Sequence, residues 1–110
     1  MYNHANWNDL PWVEVRPGVR RKAFTGEGAT FAMNELQPRH DPKPHAHRYE
    51  QIVYIASGSC DFHVGDKVYR LAPGGMLVIP PNVEHYAEVL GDEVLINFDI
   101  FTPKREECVE

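Results

Sequence analysis

The run His45-Ala46-His47-Arg48-Tyr49-Glu50-Gln51 decides how this chain reads, together with Pro80-Pro81-Asn82-Val83-Glu84-His85 further on. Side chains alternate between the faces of a β-strand. In one extended run, the odd-numbered His45, His47 and Gln51 therefore share a face and Glu50 points away. Two imidazoles and an amide oxygen on one face, joined by His85 from a later strand, make the donor set of a divalent metal site. Function is expected there. His4 falls in an N-terminal arm, and His40 and His63, off the pattern, are expected at the surface.

Working outward, apolar runs are short and punctuated by eight Gly and nine Pro. Residues 6–12 read as an irregular arm with two exposed tryptophans, Trp7 and Trp12, of the kind that docks on its own domain or on a partner. Residues 19–25 and 29–36 read as strands around a Gly26-Glu27-Gly28 turn. The proline-rich loop 38–44 feeds the histidines, and a strand meander follows. Residues 51–56 are too apolar for alternation, which predicts burial on both faces. Cys60, Phe62 and Val64 alternate against wetter neighbours, Gly65-Asp66-Lys67 marks a hairpin, and residues 76–79 read as a short buried strand. Residues 84–90 and 93–101 read as a last hairpin about Gly91-Asp92. No helical period or repeat is visible, so the expected class is all-β, a small jelly roll.

The chain is expected to form a single domain over residues 1–110, with an arm at 1–18, a barrel core at 30–101 and a tail at 102–110. A length of 110 residues, 43% hydrophobic and 25% charged, fits one modest core. The net charge of −5 argues against nucleic acid, which calls for a basic face. The one basic cluster, Arg16, Arg20, Arg21 and Lys22, reads as a solvated surface. Residues 1–12 carry no leader pattern, and no run approaches the ~20 apolar residues of a membrane helix, so the expected compartment is the cytoplasm. Two cysteines make no disulfide framework. Cys60 reads as a strand residue and Cys108 as an exposed tail thiol.

These residues resemble a single-domain cupin. The first cupin motif maps onto His45, His47, Gln51 and Gly58, with Gln51 where the family has Glu and Arg39 where it has its leading Gly. The second maps onto Gly74, Pro80, Asn82 and His85. Asn82 replaces a Gly, and asparagine is the commonest other residue to accept positive φ. The motif's closing Asn falls on Val89.

A narrower resemblance is to small cupins of pectin and alginate catabolism that open the ring of 4,5-unsaturated uronates. It rests on His45-x-His47-x-x-Glu50-Gln51, on Pro80-Pro81-Asn82-x-x-His85, and on Asp99-x-Phe101-Thr102-Pro103-x-Arg105-Glu106. The resemblance implies that His45, His47, Gln51 and His85 bind one divalent metal (Zn, Ni, Fe or Mn) and that Asp99, Phe101 and Arg105 are active-site residues.

The chemistry of the residues fits that implication. Replacing the carboxylate with Gln51 leaves every protein ligand neutral, so the ion keeps its full double charge and leans toward polarising an oxygen. Asp99 shares parity with Asn97 and Phe101, opposite the apolar Ile96, Phe98 and Ile100, and in a pocket it supplies a general acid/base. Arg105 suits a bidentate clamp on a substrate carboxylate. The leading expectation is proton transfer and ring opening of a small unsaturated sugar acid. The alternatives are a cupin dioxygenase or lyase, with Asp99, Tyr49, Tyr54 or Tyr86 as base, and a non-enzymatic ligand-binding cupin. The arm and the Ile96-Phe98-Ile100 face suggest a homodimer.

Overall fold

The computed structural model describes residues 4–108, the last of them by its backbone alone, so the expected exposure of the Cys108 thiol lies outside the described residues. Nine strands run in chain order: β1 (Val13–Arg16), β2 (Val19–Thr25), β3 (Thr30–Leu36), β4 (Glu50–Ser57), β5 (Cys60–Val64), β6 (Lys67–Leu71), β7 (Met76–Ile79), β8 (His85–Val89) and β9 (Leu95–Thr102). There is no α-helix among the described residues, only 3₁₀ turns at Trp7–Asp9 and Glu106–Cys108. None of these is long and apolar enough to cross a membrane. The expected all-β jelly roll is what forms.

Two antiparallel sheets face each other. The larger has the order β1-β2-β3-β9-β4-β7 and the smaller β6-β5-β8. Between them lie Val53, Ile55, Ile79 and Leu95 from the large sheet and Cys60, Phe62 and Ala87 from the small one. A second cluster of Ala32, Tyr49 and Phe101 closes the end nearest the histidines.

The order corrects the expected meander. β4 pairs with β7 and β9, and β8 pairs with β5 rather than β9, so the last hairpin does not form. The inward residues of β9 (Leu95, Asn97, Asp99 and Phe101) are all buried. They can be buried together only at the centre of the large sheet, which obliges residues 90–94 to cross between sheets. Val13–Arg16, inside the expected arm, is a strand on β2.

Burial on both faces is also corrected for two runs. β4 alternates strictly, with Gln51, Val53 and Ile55 inside while Ile52 and Tyr54 (43% exposed) lie outside. On β7, Met76 (66% exposed) and Val78 are outside. An apolar run that covers both faces of a strand needs two neighbours to bury it, and among the described residues β4 and β7 have a covering layer on one side only. The tryptophans are half-buried rather than exposed. Trp7 packs at a tilt against Phe31 and Phe98, with centroids 5.3 and 5.9 Å away. Trp12 lies under the Arg20 guanidinium at 4.1 Å. The arm therefore docks on its own sheet.

Candidate metal centre

The histidine run is not one strand. His45 forms an isolated antiparallel bridge with His85, donating its N–H to the His85 carbonyl at 3.1 Å and accepting in return at 2.9 Å. That bridge pins the first histidine to the small sheet. Residues 46–49 then bend across, and β4 begins in the large sheet at Glu50. His47 is fixed on the way, its carbonyl taking the Asn82 N–H at 2.7 Å. Asn82 adopts φ of 66° in the turn that delivers His85, so asparagine fills the glycine position as its chemistry allows. The convergence read from parity is real, but its cause is a crossing between sheets.

The ligand atoms of His45, His47 and His85 lie within 4.8 Å of one another. Exposure is graded across them, with His85 buried (2% exposed), His47 half-buried and His45 at the rim. Each ring offers Nδ1 to a backbone carbonyl: Lys43 for His45 at 2.8 Å, Tyr49 for His47 at 3.1 Å and Val83 for His85 at 2.9 Å. A carbonyl accepts, so Nδ1 carries the proton and the Nε2 lone pair is left to bind. Burial lowers all three pKa values, that of His85 to about 4. The rings are neutral donors near pH 7.

Gln51 adds the sharpest test of fit. Its Oε1 lies 3.0 Å from His47 Nε2. Its amide also hydrogen-bonds Asp99, a buried acceptor, so the N–H faces Asp99 and the carbonyl oxygen faces the histidines. Two lone pairs then oppose each other across 3.0 Å, which repels unless a cation lies between them. Three neutral imidazoles and an amide oxygen suit a borderline divalent ion. The four expected ligand residues are together.

Asp99 is 2% exposed. It accepts from Asn34 Nδ2 at 2.5 Å and Asn97 Nδ2 at 2.9 Å. Burial raises its pKa, opposed first by the Arg21 charge and then by its amide donors. Phe101 is fully buried, edge-on to His47 at 5.6 Å. The Arg105 guanidinium lies 4.8 Å from the Phe101 ring and 5.5 Å from that of Tyr49, and its backbone N–H is tied to Thr30 Oγ1 at 2.8 Å. A cavity of about 60 Å³ is lined by His45, Gln51, His85, Asp99 and Arg105 among others.

The cupin-domain family model, Cupin_2, matches residues 32–101. This chain belongs to the cupin family. The cupin is similar in structure to an RmlC-like cupin from Shewanella frigidimarina, with a TM-score of 0.88 and 21% identity over 97% of this chain and 96% of that one. It is also similar to KdgF from Halomonas sp., at 0.83 and 26% over 93% and 95%. A third likeness is to the polyketide cyclase RemF from Streptomyces resistomycificus, at 0.75 and 20% over 94% and 80%. A search by sequence among curated proteins finds no match.

Two surface expectations need correction in this cupin. His40 is 8% exposed, packed beside Gly18 with Nδ1 3.1 Å from the Gln37 carbonyl. The basic cluster is divided by strand alternation rather than solvated as a block. Lys22 is buried beneath the arm, donating to the Trp7 carbonyl at 2.7 Å. Arg16 and Arg21 are half-buried and line the cavity, and Arg20 alone is exposed. Arg21, Asn34 and Asn97 were missing from the expected site. The pairing of Arg21 with Asn34 follows from the β2–β3 register, which the turn at residues 26–28 already implies.

Proposed function

We propose that this cupin is a metal-dependent enzyme that opens the ring of a 4,5-unsaturated uronate. The observation that carries the reading is Asp99, a buried carboxylate held by three amides in the same cavity as the histidines and Arg105. A carboxylate buried only for packing would be a costly ornament; one fixed beside a binding cluster suits proton transfer. The likeness to KdgF and the closing motif Asp99-x-Phe101-Thr102-Pro103-x-Arg105 add support.

A divalent ion held by His45, His47, Gln51 and His85 supplies Lewis acidity toward substrate oxygens. Arg105 takes the substrate carboxylate through paired N–H donors. Asn34 and Asn97 hold both Asp99 oxygens, and Gln51 orients the same group from the ligand side. Asp99 accepts the proton of the anomeric hydroxyl as the carbonyl forms and the bond from that carbon to the ring oxygen breaks. The released electron pair goes to the ring oxygen, leaving an enolate; Asp99 returns the proton to the alkene carbon as the former ring oxygen becomes a ketone, which restores the carboxylate. No net oxidation occurs. Phe101 walls the reacting ring from water.

The test is loss of the conjugated-alkene absorbance when the metal-loaded protein meets unsaturated galacturonate. Asp99→Asn should lower turnover about a hundredfold or more while metal content stays unchanged. No loss of absorbance in the wild type, or dioxygen uptake in its place, contradicts the reading.

The proposed assembly is a homodimer in which a second copy covers the outer face of the large sheet. Phe31, Ile52, Tyr54, Phe98 and Ile100 form a continuous apolar patch there, since Ile100 pairs with both Phe31 and Ile52, and Phe98 with Tyr54. An apolar patch of this kind marks an interface.

A further inference from the structure

After β9 ends at Thr102, the chain is fastened to the barrel at two points. The Arg105 N–H donates to Thr30 Oγ1 at 2.8 Å, and Thr30 is fully buried with its hydroxyl 3.0 Å from Thr25 Oγ1. Two residues on, in the 3₁₀ turn Glu106–Cys108, the Glu107 carboxylate accepts the Tyr49 O–H at 2.8 Å. Tyr49 is a firm post. Its ring is 4% exposed and packs edge-on to Phe101 with centroids 6.3 Å apart, and its carbonyl lies 3.1 Å from His47 Nδ1. Arg105 sits between the two anchors.

The carboxylate of Glu107 is held below its usual range first by its own backbone N–H, then by the Tyr49 hydroxyl and the Arg105 charge. The same hydroxyl bond pushes Tyr49 above its ordinary value. Glu107 therefore accepts as an anion near pH 7, and the phenol keeps its proton. The other oxygen of Glu107, Oε2, lies 3.4 Å from Arg105 Nε. That nitrogen is buried and makes no hydrogen bond of normal geometry among the described residues, so the carboxylate is placed to compensate it. A contact at the Nε edge does not use the Nη pair, the fork with which an arginine meets a carboxylate end-on.

We propose that Glu107 is a positioning residue: it braces the Arg105 guanidinium against Tyr49, so that the clamp meets the substrate carboxylate already aligned. The inference rests on the role given to Arg105 above. A guanidinium fixed beforehand loses less rotamer freedom when its ligand arrives. Charge alone predicts the opposite sign, since Glu107 is an anion beside an anion's site and its removal should tighten binding. The Glu107 side chain is 57% exposed, so solvent screens that repulsion.

Galacturonate and neutral galactose, titrated by calorimetry into the nickel-loaded protein, are suitable probes. Wild type should bind galacturonate about tenfold more tightly than galactose, or better. Glu107→Ala should weaken galacturonate binding about fivefold or more, with galactose binding and nickel stoichiometry unchanged. Tyr49→Phe keeps the anion but removes its anchor, and it should weaken galacturonate binding in the same direction. In an Arg105→Met background, Glu107→Ala should change galacturonate affinity less than about twofold, because Glu107 acts through that side chain. Galacturonate binding by Glu107→Ala that equals or exceeds wild type overturns the proposal. A loss that persists in full without Arg105 overturns it too, as does a wild type that does not distinguish the probes. Turnover of unsaturated galacturonate, measured in parallel, separates the two readings. Selective galacturonate binding without turnover in the wild type contradicts ring opening and leaves the role of Glu107 standing; turnover with Glu107→Ala binding as wild type does the reverse.

Discussion

Gly58 and Arg39 occupy two positions where the cupin motif calls for glycine, and they show why the demand differs between them. Gly58 has φ of 79°, and a Cβ there would meet the Val94 carbonyl oxygen at 2.6 Å. Steric room and dihedral both forbid a side chain. Gly58→Ala should cost about 2 kcal/mol or more, read as a fall in the urea midpoint. Arg39 also lies in the left-handed region, at φ of 62°. Its side chain is exposed and reaches Asp92 at 2.8 Å in a solvent-exposed pair. There the dihedral is the whole penalty, so a non-glycine residue is tolerated.

At the scale of elements, the loop before the histidines holds a buried titratable group. Burial lowers the His40 pKa, partly offset by the Gln37 carbonyl. The unfolded chain then takes up a proton at a higher pH than the folded one. The stability that His40 contributes is full above about pH 6.5 and is lost as pH falls through that value toward the lower folded pKa. In urea titrations at about pH 7.5 and about pH 5, the drop in midpoint for His40→Gln should be smaller than for wild type. An equal drop would show that His40 is protonated without cost in the fold. Legibility in the sequence follows the same division into elements. The β2 and β3 ranges, the inward parity of Asn97, Asp99 and Phe101, and the turn at Asn82 were all written in local pattern. Strand partners were not, because pairing β8 with β5 instead of β9 is decided by which faces must be buried together. His40 was misread for a related reason. It sits in a proline-rich loop with no period, and only packing beside Gly18 buries it. Arg21 was lost among neighbouring charges because alternation, not composition, sends it inward.

On the outer face of the large sheet, beside the docked ring of Trp7, Ile52, Tyr54 and Ile100 stay exposed among the described residues. If a second copy covers that face, sedimentation at micromolar concentration should give a dimer, and Tyr54→Lys, on a half-exposed side chain at the patch centre, should give a monomer with its cupin fold intact. A wild-type monomer would contradict the assembly. At the same scale, the two sheets meet at the metal centre. His45 and His85 are bridged along the small sheet, and Gln51 and Asp99 stand on the large one. Closing the donor set therefore ties the layers together, and metal binding should raise the midpoint of thermal unfolding. The most direct measurement is the metal content of the protein after equilibration with Zn, Ni, Fe(II) or Mn and removal of the excess. About one divalent ion per chain is expected, falling to a small fraction in His85→Ala, whose ring is the most buried of the three. A folded wild type that retains none of these ions, or a His85→Ala variant that retains as much as wild type, would contradict the account.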